Sequence, residues 1–362
     1  MLIKTWNRSS KRSWQAKRKL TRPTSRDARI EPLEDRALLT TLFTVNSVLD
    51  TGDANPGDGI AADTSGNATL RAAVEEANAL AGPDTIVFNL TPPKSTINLE
   101  LGQLTITDDL TIGGPDAKSL TIDAQGNSRI FEIDLGTTVV ISGLTLTGGG
   151  NVSEGGAILT RADDFTLADS IVVGNTSSFE GGGIDIDTGV VRIVGSTVSN
   201  NASDYSGGID NDNFGTSLAD PSLELIDTTI SNNVATSSGG GIYNDGALSI
   251  AGSTLSGNSA VDEGGAVFNA DGTVMIAGST LSDNSANEGG AVYNDPFEVL
   301  SVVNSEFSNN SSLTEGGAIF NRGDLDVSGS VFSRNLAVQD GGGIFNENAG
   351  FLDVTNSNLV HN

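Results

Sequence analysis

Two aspartates separated by one residue, Asp210 and Asp212, form the carboxylate group that is best placed for chemistry in this sequence. They alternate with asparagines at 211 and 213, beside an insertion at about 213–222. Neighbouring carboxylates can act as general acid and base, and a loop that interrupts a regular scaffold is a common place for a functional site. We therefore predict that a specific activity, if the chain has one, lies near 210–222. Ordinary Asp-rich turns are the structural alternative.

A second set of carboxylates stands directly before paired glycines in repeated segments of the chain. If these segments stack, their carboxylates form a column of like charges, which is unfavourable unless a cation bridges them. Calcium prefers such oxygen-rich sites, so we predict weak divalent-cation binding here and no other cofactor. The alternative is a solvated, mutually repelling face. The four residues in consecutive copies are Glu263, Glu288, Glu315 and Asp340.

Aromatic and asparagine residues recur at further fixed positions. The aromatic column is expected to pack ring against ring between stacked segments, or, if it faces outward, to offer a stacking strip for carbohydrate. Asparagines recur at two constant positions, and each column is expected to form a hydrogen-bonded ladder inside the turns. The aromatic residues are Tyr243, Phe268, Tyr293, Phe320 and Phe345, and the asparagines that directly follow them are Asn244, Asn269, Asn294, Asn321 and Asn346. The second column is Asn258, Asn284, Asn310, Asn335 and Asn362.

These positions belong to a repeat of about 25 residues, which is most regular between Gly239 and Asn346. Each copy begins with Gly-Gly-(Gly/Ala)-(Ile/Val)-(Tyr/Phe)-Asn and continues to a Ser, an apolar residue two places on and Asn five places on. The first glycine position recurs from 155 to 341 with steps of 25 to 33 residues, and the longest step contains the insertion. A repeat of this length is one structural unit that buries its apolar residues by stacking on copies of itself.

The repeat predicts an all-β fold, a single-stranded right-handed parallel β-helix of about ten coils. Three short strands and three turns fit about 25 residues, and the fixed apolar positions require parallel stacking in register. The paired glycines suit tight turns that need positive φ or close backbone approach. Leucine-rich repeats have a similar period, but no copy contains a helical segment or a second Leu-x-x-Leu.

Composition excludes several classes of partner. The chain has 19 Lys and Arg against 46 Asp and Glu, a net charge of −27, and no cysteine. Residues 1–40 are basic, so the acidity lies in the rest of the chain, which should repel nucleic acid and anionic membranes. No apolar run is long enough for a membrane-spanning helix. Cations and ligands held by hydrogen bonds and stacking fit the chain better.

The chain divides into three predicted regions. Residues 1–40 form a basic leader that is disordered or cleaved, and 41–96 form an N-terminal cap. The cap contains a short helix with Leu70, Ala73 and Val74 at helical spacing, for which Asn67 or Thr69 can provide the N-cap. Residues 97–362 form the β-helix. The sequence stops at Asn362 inside a repeat, so we expect either a fragment or an uncapped last coil that a partner or a second copy completes.

Three resemblances accompany these patterns. Residues 30–39, Ile-Glu-Pro-Leu-Glu-Asp-Arg-Ala-Leu-Leu, resemble the EPLEDR-type leader of bacterial surface proteins. Residues 69–78 are similar to the CSLREA segment that precedes bacterial β-helices, although Ala61 and Ala68 replace its two cysteines. Gly-Gly-Ala-Val at 264–267 and Phe307 to Asn310 resemble the repeats of polymorphic outer-membrane proteins, and this resemblance covers 141–362. It implies a pectate-lyase-like β-helix exported to the cell surface.

We therefore interpret the chain as a non-catalytic secreted or cell-surface repeat protein that binds glycans or matrix components in adhesion. An extracellular polysaccharide lyase or hydrolase on the same fold is the alternative, because many β-helices are such enzymes. That alternative is less favoured, since the arginines are scattered along the sequence and the single His361 is the penultimate residue. A purely structural surface-layer protein is the third interpretation.

Overall fold

The computed structural model describes residues 40–91, 94–213, 219–347 and 350–362. Over these residues the chain is a parallel β-solenoid of about ten turns with one short helix, as the repeat predicts. Each regular coil runs through four sheets in a fixed order, here named C, A, B and D. In one such coil the strands are Ile242–Asn244, Ala247–Ala251, Thr254–Ser256 and Ser259–Ala260. Every strand pair within a sheet is parallel, so the fold consists of one coil repeated. The handedness of the solenoid stays a prediction.

The strand bounds in each sheet follow this repeat. Sheet A contains Leu42–Val45, Asp84–Phe88, Leu110–Gly113, Thr138–Ser142, Asp164–Ala168, Val190–Val194, Ser222–Ile226, Ala247–Ala251, Thr273–Ala277, Val299–Val303, Asp324–Ser328 and Phe351–Thr355. Sheet B contains Ser95–Asn98, Leu120–Asp123, Thr145–Thr147, Ile171–Val173, Thr197–Ser199, Thr229–Ser231, Thr254–Ser256, Thr280–Ser282, Glu306–Ser308, Val331–Ser333 and Asn358–Val360.

Sheets C and D complete the coils. Sheet C contains Leu104–Ile106, Phe131–Ile133, Ile158–Thr160, Ile184–Ile186, Ile209–Asn211, Ile242–Asn244, Val267–Asn269, Val292–Asn294, Ile319–Asn321 and Ile344–Asn346. Sheet D contains Ala202–Ser203, Val234–Ala235, Ser259–Ala260, Ser285–Ala286, Ser311–Ser312 and Leu336–Ala337.

The apolar positions of the repeat form one continuous core inside the coils. In a single coil Ile242, Leu248, Ile250 and Leu255 are all buried, and each has an apolar partner at the same position of the next coil. The side chains of a strand alternate between its two faces, so a shift of one residue would turn this set outward. Burial of the repeated Ile, Val and Leu residues therefore sets the register of the stack.

The paired glycines have both of the roles that we predicted. The first glycine of a copy has positive φ, for example +62° at Gly264 and at Gly289. The second lies against the next coil, and a Cβ added at Gly265 would stand 2.2 Å from the carbonyl oxygen of Gly290. Only glycine fits both positions without strain.

Both asparagine columns of the repeat are hydrogen-bonded from coil to coil. The Asn244 side chain donates to Asn269 Oδ1 at 2.9 Å, and each later member does the same to its successor. Asn211 begins this ladder by donating to Asn244 Oδ1 at 2.7 Å. The second ladder consists of Asn175, Asn201, Asn233, Asn258, Asn284, Asn310, Asn335 and Asn362. Its amides also bond backbone groups, which satisfies polar atoms inside the turns.

The helix predicted in the N-terminal region spans Leu70–Ala79, with the Thr69 side chain accepting the Ala72 N–H as its N-cap. Arg71 of this helix forms a buried ion pair with Asp50, with Nε and Oδ1 2.7 Å apart. Whether the helix acts as a cap stays a prediction, as do the boundaries at 40 and 96. Within the described residues, no helix is long and apolar enough to cross a membrane. The predicted leader lies outside the described residues, apart from residue 40.

Candidate functional site

The central residues of the sheet C strands form a column on the face opposite the core, called here the outer column. From Ile242–Asn244 onward, these residues are the five aromatic side chains that we predicted as a column. In the two preceding coils the same position holds Asp185 and Asp210, which are register neighbours of each other, and Asp210 is the neighbour of Tyr243. One column thus changes from carboxylate to aromatic between adjacent coils.

A cavity of about 180 Å³ lies where this change occurs. Its lining comes from three successive coils and combines aromatic rings with carboxylates. We call it the acid–aromatic pocket. The lining residues are Phe179, Glu180, Tyr205, Asp210, Asp212 and Tyr243.

The rings of the pocket meet edge to face. Phe179 and Tyr205 have centroids 5.6 Å apart and planes at 73°, and Tyr205 and Tyr243 are 6.0 Å apart at 90°. Edge-to-face contact is one of the favoured arrangements of aromatic pairs, so the three rings support one another. Phe179 is 37% exposed, so this part of the pocket lining reaches the protein surface.

The two aspartates of the outer column are buried and incompletely hydrogen-bonded. Asp185 is 1% exposed and Asp210 is fully buried. Ser206 Oγ donates to Asp210 Oδ2, while Asp210 Oδ1 and both oxygens of Asp185 have no hydrogen-bond partner. An uncompensated buried carboxylate is unfavourable in its charged form, so these two groups hold their protons more tightly than exposed ones do.

Burial and mutual repulsion raise the pKa values of several acids around the pocket. Burial, followed by repulsion from Asp212, raises the pKa of Glu180 to about 8. The same two causes raise the pKa of Asp210 well above its ordinary value, against the hydrogen bond from Ser206. For Asp185 the causes are burial and then repulsion from Asp187. Burial also raises the pKa of Asp245 to about 7. Clustered groups with perturbed pKa values are typical of functional sites.

Two arginines that are distant in sequence lie next to this cluster. Arg161 Nε is 2.7 Å from Asp187 Oδ2, and its Nη1 is 3.2 Å from Glu132 Oε1. Arg129 donates to the carbonyl oxygens of Glu154 and Gly155 at 2.7 and 3.0 Å. These arginines are far apart in the sequence, but the stacking of the coils places both of them within 4.0 Å of the Glu132 carboxylate.

The structure brings together the predicted residues Asp210 and Asp212 with side chains that the sequence alone does not connect with them, namely Phe179, Glu180, Tyr205 and Tyr243 of the pocket and Asp185 of the outer column. Phe179, Tyr205 and Asp185 escaped notice because they occupy repeat positions where other copies carry different residue types. Tyr205, for example, stands at the position of the acidic residue before the glycines. A comparison of each repeat position down the column would have identified them.

The predicted acidic column forms along consecutive coils. Glu263 and Glu288 are paired as a parallel bridge, and the backbone bonds from Gly289 to Glu315 and from Gly316 to Asp340 continue the column. Burial, and then repulsion from Glu315 and Glu263, raises the pKa of Glu288. Among the described residues, no group of three or more His, Asp or Glu side chains is arranged to hold a metal ion. Calcium binding by this column therefore stays a prediction.

The aromatic part of the outer column packs ring on ring. Tyr293 and Phe320 are 4% and 5% exposed and stack with centroids 4.8 Å apart and planes at 5°. Arg322 of a neighbouring position donates to the Tyr293 hydroxyl at 3.2 Å and pairs with Glu347 at 2.5 Å. This region matches the packed-stack interpretation, because the middle rings have little surface left for a ligand.

Comparisons with known proteins support the repeat assignment. The family model of the Chlamydia polymorphic membrane protein (Chlamydia_PMP) repeat matches residues 227–245 and 304–322. Each matched segment begins just before a sheet B strand, contains the paired glycines, and ends just after the ladder asparagine of the following sheet C strand, Asn244 or Asn321. Comparison with curated proteins and with solved structures returned no significant match. These two segments are thus similar to the repeats of that family, and the resemblances of the leader and the CSLREA-like segment remain predictions.

Proposed function

We propose that this protein is a non-catalytic glycan-binding protein of the bacterial cell surface and that the acid–aromatic pocket is its binding site. The two matched repeats indicate a surface-exposed protein. The net charge of −27 keeps such a surface soluble and disfavours anionic partners. Neutral or cationic sugars meet no such repulsion.

The observation that carries this proposal is the combination of ring walls and carboxylates in one cavity. Tyr205 and Tyr243 offer apolar faces on which a sugar ring can stack, and Asp210 and Asp212 offer oxygens that can accept hydrogen bonds from its hydroxyl groups. Ligand pockets are usually apolar with a few convergent polar groups, and this pocket has that composition.

A glycan array probed with the full-length protein tests the proposal. We expect selective binding to a subset of sugars and a loss of at least tenfold in affinity for Tyr205→Ala, because that substitution removes the ring between Phe179 and Tyr243. The matched control is Phe297→Ala, since Phe297 is an aromatic residue that is 93% exposed and does not line the pocket. Equal losses in the two variants, or no binding by a folded protein, would contradict the proposal and favour the structural surface-layer alternative.

Polysaccharide hydrolysis is a second candidate, favoured by one observation. Burial raises the pKa of Asp210, and a carboxyl group with a raised pKa is suited to protonating a glycosidic oxygen. Release of new reducing ends from pectin, alginate or other polysaccharides, abolished by Asp210→Asn, would favour an enzyme. Binding without any release of reducing ends would favour the non-catalytic function.

A further inference from the structure

The acid–aromatic pocket contains a buried carboxylate that the chain itself leaves incompletely paired. Asp210 lines the cavity, is fully buried, and has no hydrogen-bond partner at Oδ1. Its column neighbour Asp185 lacks a partner at both oxygens. Removing one partner of a buried ion pair is strongly destabilising, so an unpaired buried carboxylate in a cavity is a place where a cationic group from a ligand would be favourable.

The cationic side chains nearby are committed to other groups. Arg161 is bound to Asp187 and Glu132, and Arg129 donates to backbone carbonyl oxygens. Ser206 supplies a single hydroxyl to Asp210 Oδ2. Glu180 and Asp212 also line the cavity, and they repel each other when both are ionised, so a positive charge placed between them would be favourable.

The walls of the cavity favour one class of cation. Ring faces attract ammonium groups within about 6 Å of the ring centroid, and aromatic cages beside acidic groups are a general solution for organic cations. Three rings border this pocket at near-right angles to their neighbours. A bare metal ion would need several converging oxygens, and the described residues contain no group of three or more acidic or histidine side chains that could hold one.

We propose that the acid–aromatic pocket binds the ammonium group of its ligand, with the charged nitrogen between the Asp210 carboxylate and the rings of Phe179, Tyr205 and Tyr243. This inference rests on the proposed function, because it takes the same pocket as the ligand site and specifies its chemistry. An amino sugar and a lysine side chain both supply such a group. For a surface glycan-binding protein, the corresponding ligand class is a glycan with free amino groups.

Binding of paired ligands to the full-length protein tests the proposal. Calorimetry would compare glucosamine oligomers with the same oligomers N-acetylated, and choline with its uncharged isostere 3,3-dimethylbutanol. We expect the charged member of each pair to bind at least tenfold more tightly, and we expect its affinity to fall at high salt. A lysine-containing peptide forms the arm that distinguishes a protein source of the ammonium group from a sugar source.

The decisive variant is Asp210→Asn, which keeps the shape of the side chain but cannot release a proton to pair with a bound cation, as the aspartate can. We expect it to lose at least tenfold in affinity for the charged ligands. The matched control is Asp283→Asn, because Asp283 is exposed, has a φ of +57° that asparagine tolerates, and does not line the pocket. Its affinity should equal that of the unmodified protein. Circular dichroism would establish that both variants are folded.

The outcomes separate this inference from the proposed function. Equal binding of free and N-acetylated oligomers would overturn the ammonium inference and leave glycan binding intact. Binding of choline and the lysine peptide without any binding of sugars would support the ammonium inference and overturn glycan binding. An unchanged affinity in a folded Asp210→Asn variant would overturn the ammonium inference, whichever ligand binds.

Discussion

Two stretches of the outer column have the same strand arrangement and different side-chain chemistry. From Tyr243 to Phe345 the column is aromatic, Tyr293 stacks on Phe320, and Arg322 pairs with Glu347. One and two coils earlier, Asp210 and Asp185 occupy the same position without full pairing, and the adjacent rings stand at right angles around a cavity. In the first stretch the column residues pack and stabilise the coils. In the second stretch buried carboxylate oxygens lack hydrogen-bond partners, and such departures from a stable arrangement are typical of binding sites.

If the backbone scaffold is the same in both stretches, then a methyl group added at the close contact between paired glycines of adjacent coils should lower stability equally in both. A Cβ at Gly182 would stand 2.4 Å from Gly207 O, and one at Gly265 would stand 2.2 Å from Gly290 O. We expect Gly182→Ala and Gly265→Ala each to lower the free energy of unfolding by about 3 kcal/mol, measured by urea denaturation. Gly278→Ala is the control, since its Cβ would meet nothing within 4 Å and only its φ of +57° is strained, a cost of about 1–2 kcal/mol.

The second asparagine ladder crosses both stretches and gives a comparison of hydrogen bonding. Asn201 and Asn284 each donate to the next ladder member and to a backbone carbonyl at 3.0–3.2 Å, and each accepts from the previous member. Replacing either by Ala leaves buried groups unpaired, so we expect a loss of about 2–4 kcal/mol in both. Asn287→Ala, three residues further along the same coil, should change stability by less than about 0.5 kcal/mol. A large loss at one ladder position only would mean that the two stretches differ in their scaffold.

Dependence on pH should separate the stretches. The pKa of Asp185 is raised in the folded protein, so between about pH 4 and that raised value the folded state holds a proton that the unfolded chain has released. Stability from this group is therefore present at low pH and is lost as pH rises. We expect Asp185→Asn to have little effect at pH 4 and to stabilise the protein increasingly as the pH rises to 8, because asparagine is neutral without binding a proton. Urea denaturation at the two pH values would measure the difference.

The control for this pH series is Asp283→Asn in the regular coils, where Asp283 is exposed. Its effect should stay below about 0.5 kcal/mol at both pH values. A stabilisation of Asp185→Asn that is the same at pH 4 and pH 8 would mean that repacking, and not removal of a buried charge, explains the gain.

The smallest expected effect lies in the acidic column of the regular coils. Glu288 is flanked by Glu263 and Glu315, which together with burial raise its pKa. We expect Glu288→Gln to stabilise the protein by about 0.3–1 kcal/mol at low ionic strength and to have no effect in about 1 M salt, where the charges are screened. Thermal unfolding in millimolar calcium and in EDTA would test the calcium prediction. An unchanged melting temperature would contradict it.

The repeat pattern predicted most of the solenoid because its constraints recur in every coil. Gly264 and Gly289 predict a turn with positive φ, and the apolar fourth residue of each copy predicts a core position. Asn269 and Asn294 predict the hydrogen-bonded ladder. Each of these residues acts on its counterpart one coil away, about 4.8 Å along the stack, so a periodic sequence implies a periodic contact. The short helix at Leu70–Ala79 was predictable for a similar reason, from local spacing and the Thr69 cap.

The candidate site was predictable only in part. Asp210 and Asp212 drew attention because they are close in sequence and adjoin an insertion. Phe179, Tyr205 and Asp185 did not, since each is a departure from the residue type that most other copies carry at its position. Residues 214–218 of the insertion lie outside the described residues.

By itself, the sequence determined the stacking repeat, the glycine turns, the apolar core and the asparagine ladders, because all of these follow from one register that every copy obeys. The tertiary structure decided which of the residues that depart from the repeat lie next to one another. It placed rings from three coils around the Asp210 carboxylate, and it left that carboxylate buried with one oxygen unpaired. Parallel stacking brings residues about one repeat apart into contact. A site formed by residues that depart from the repeat can therefore be recognised only once the coils are aligned in space.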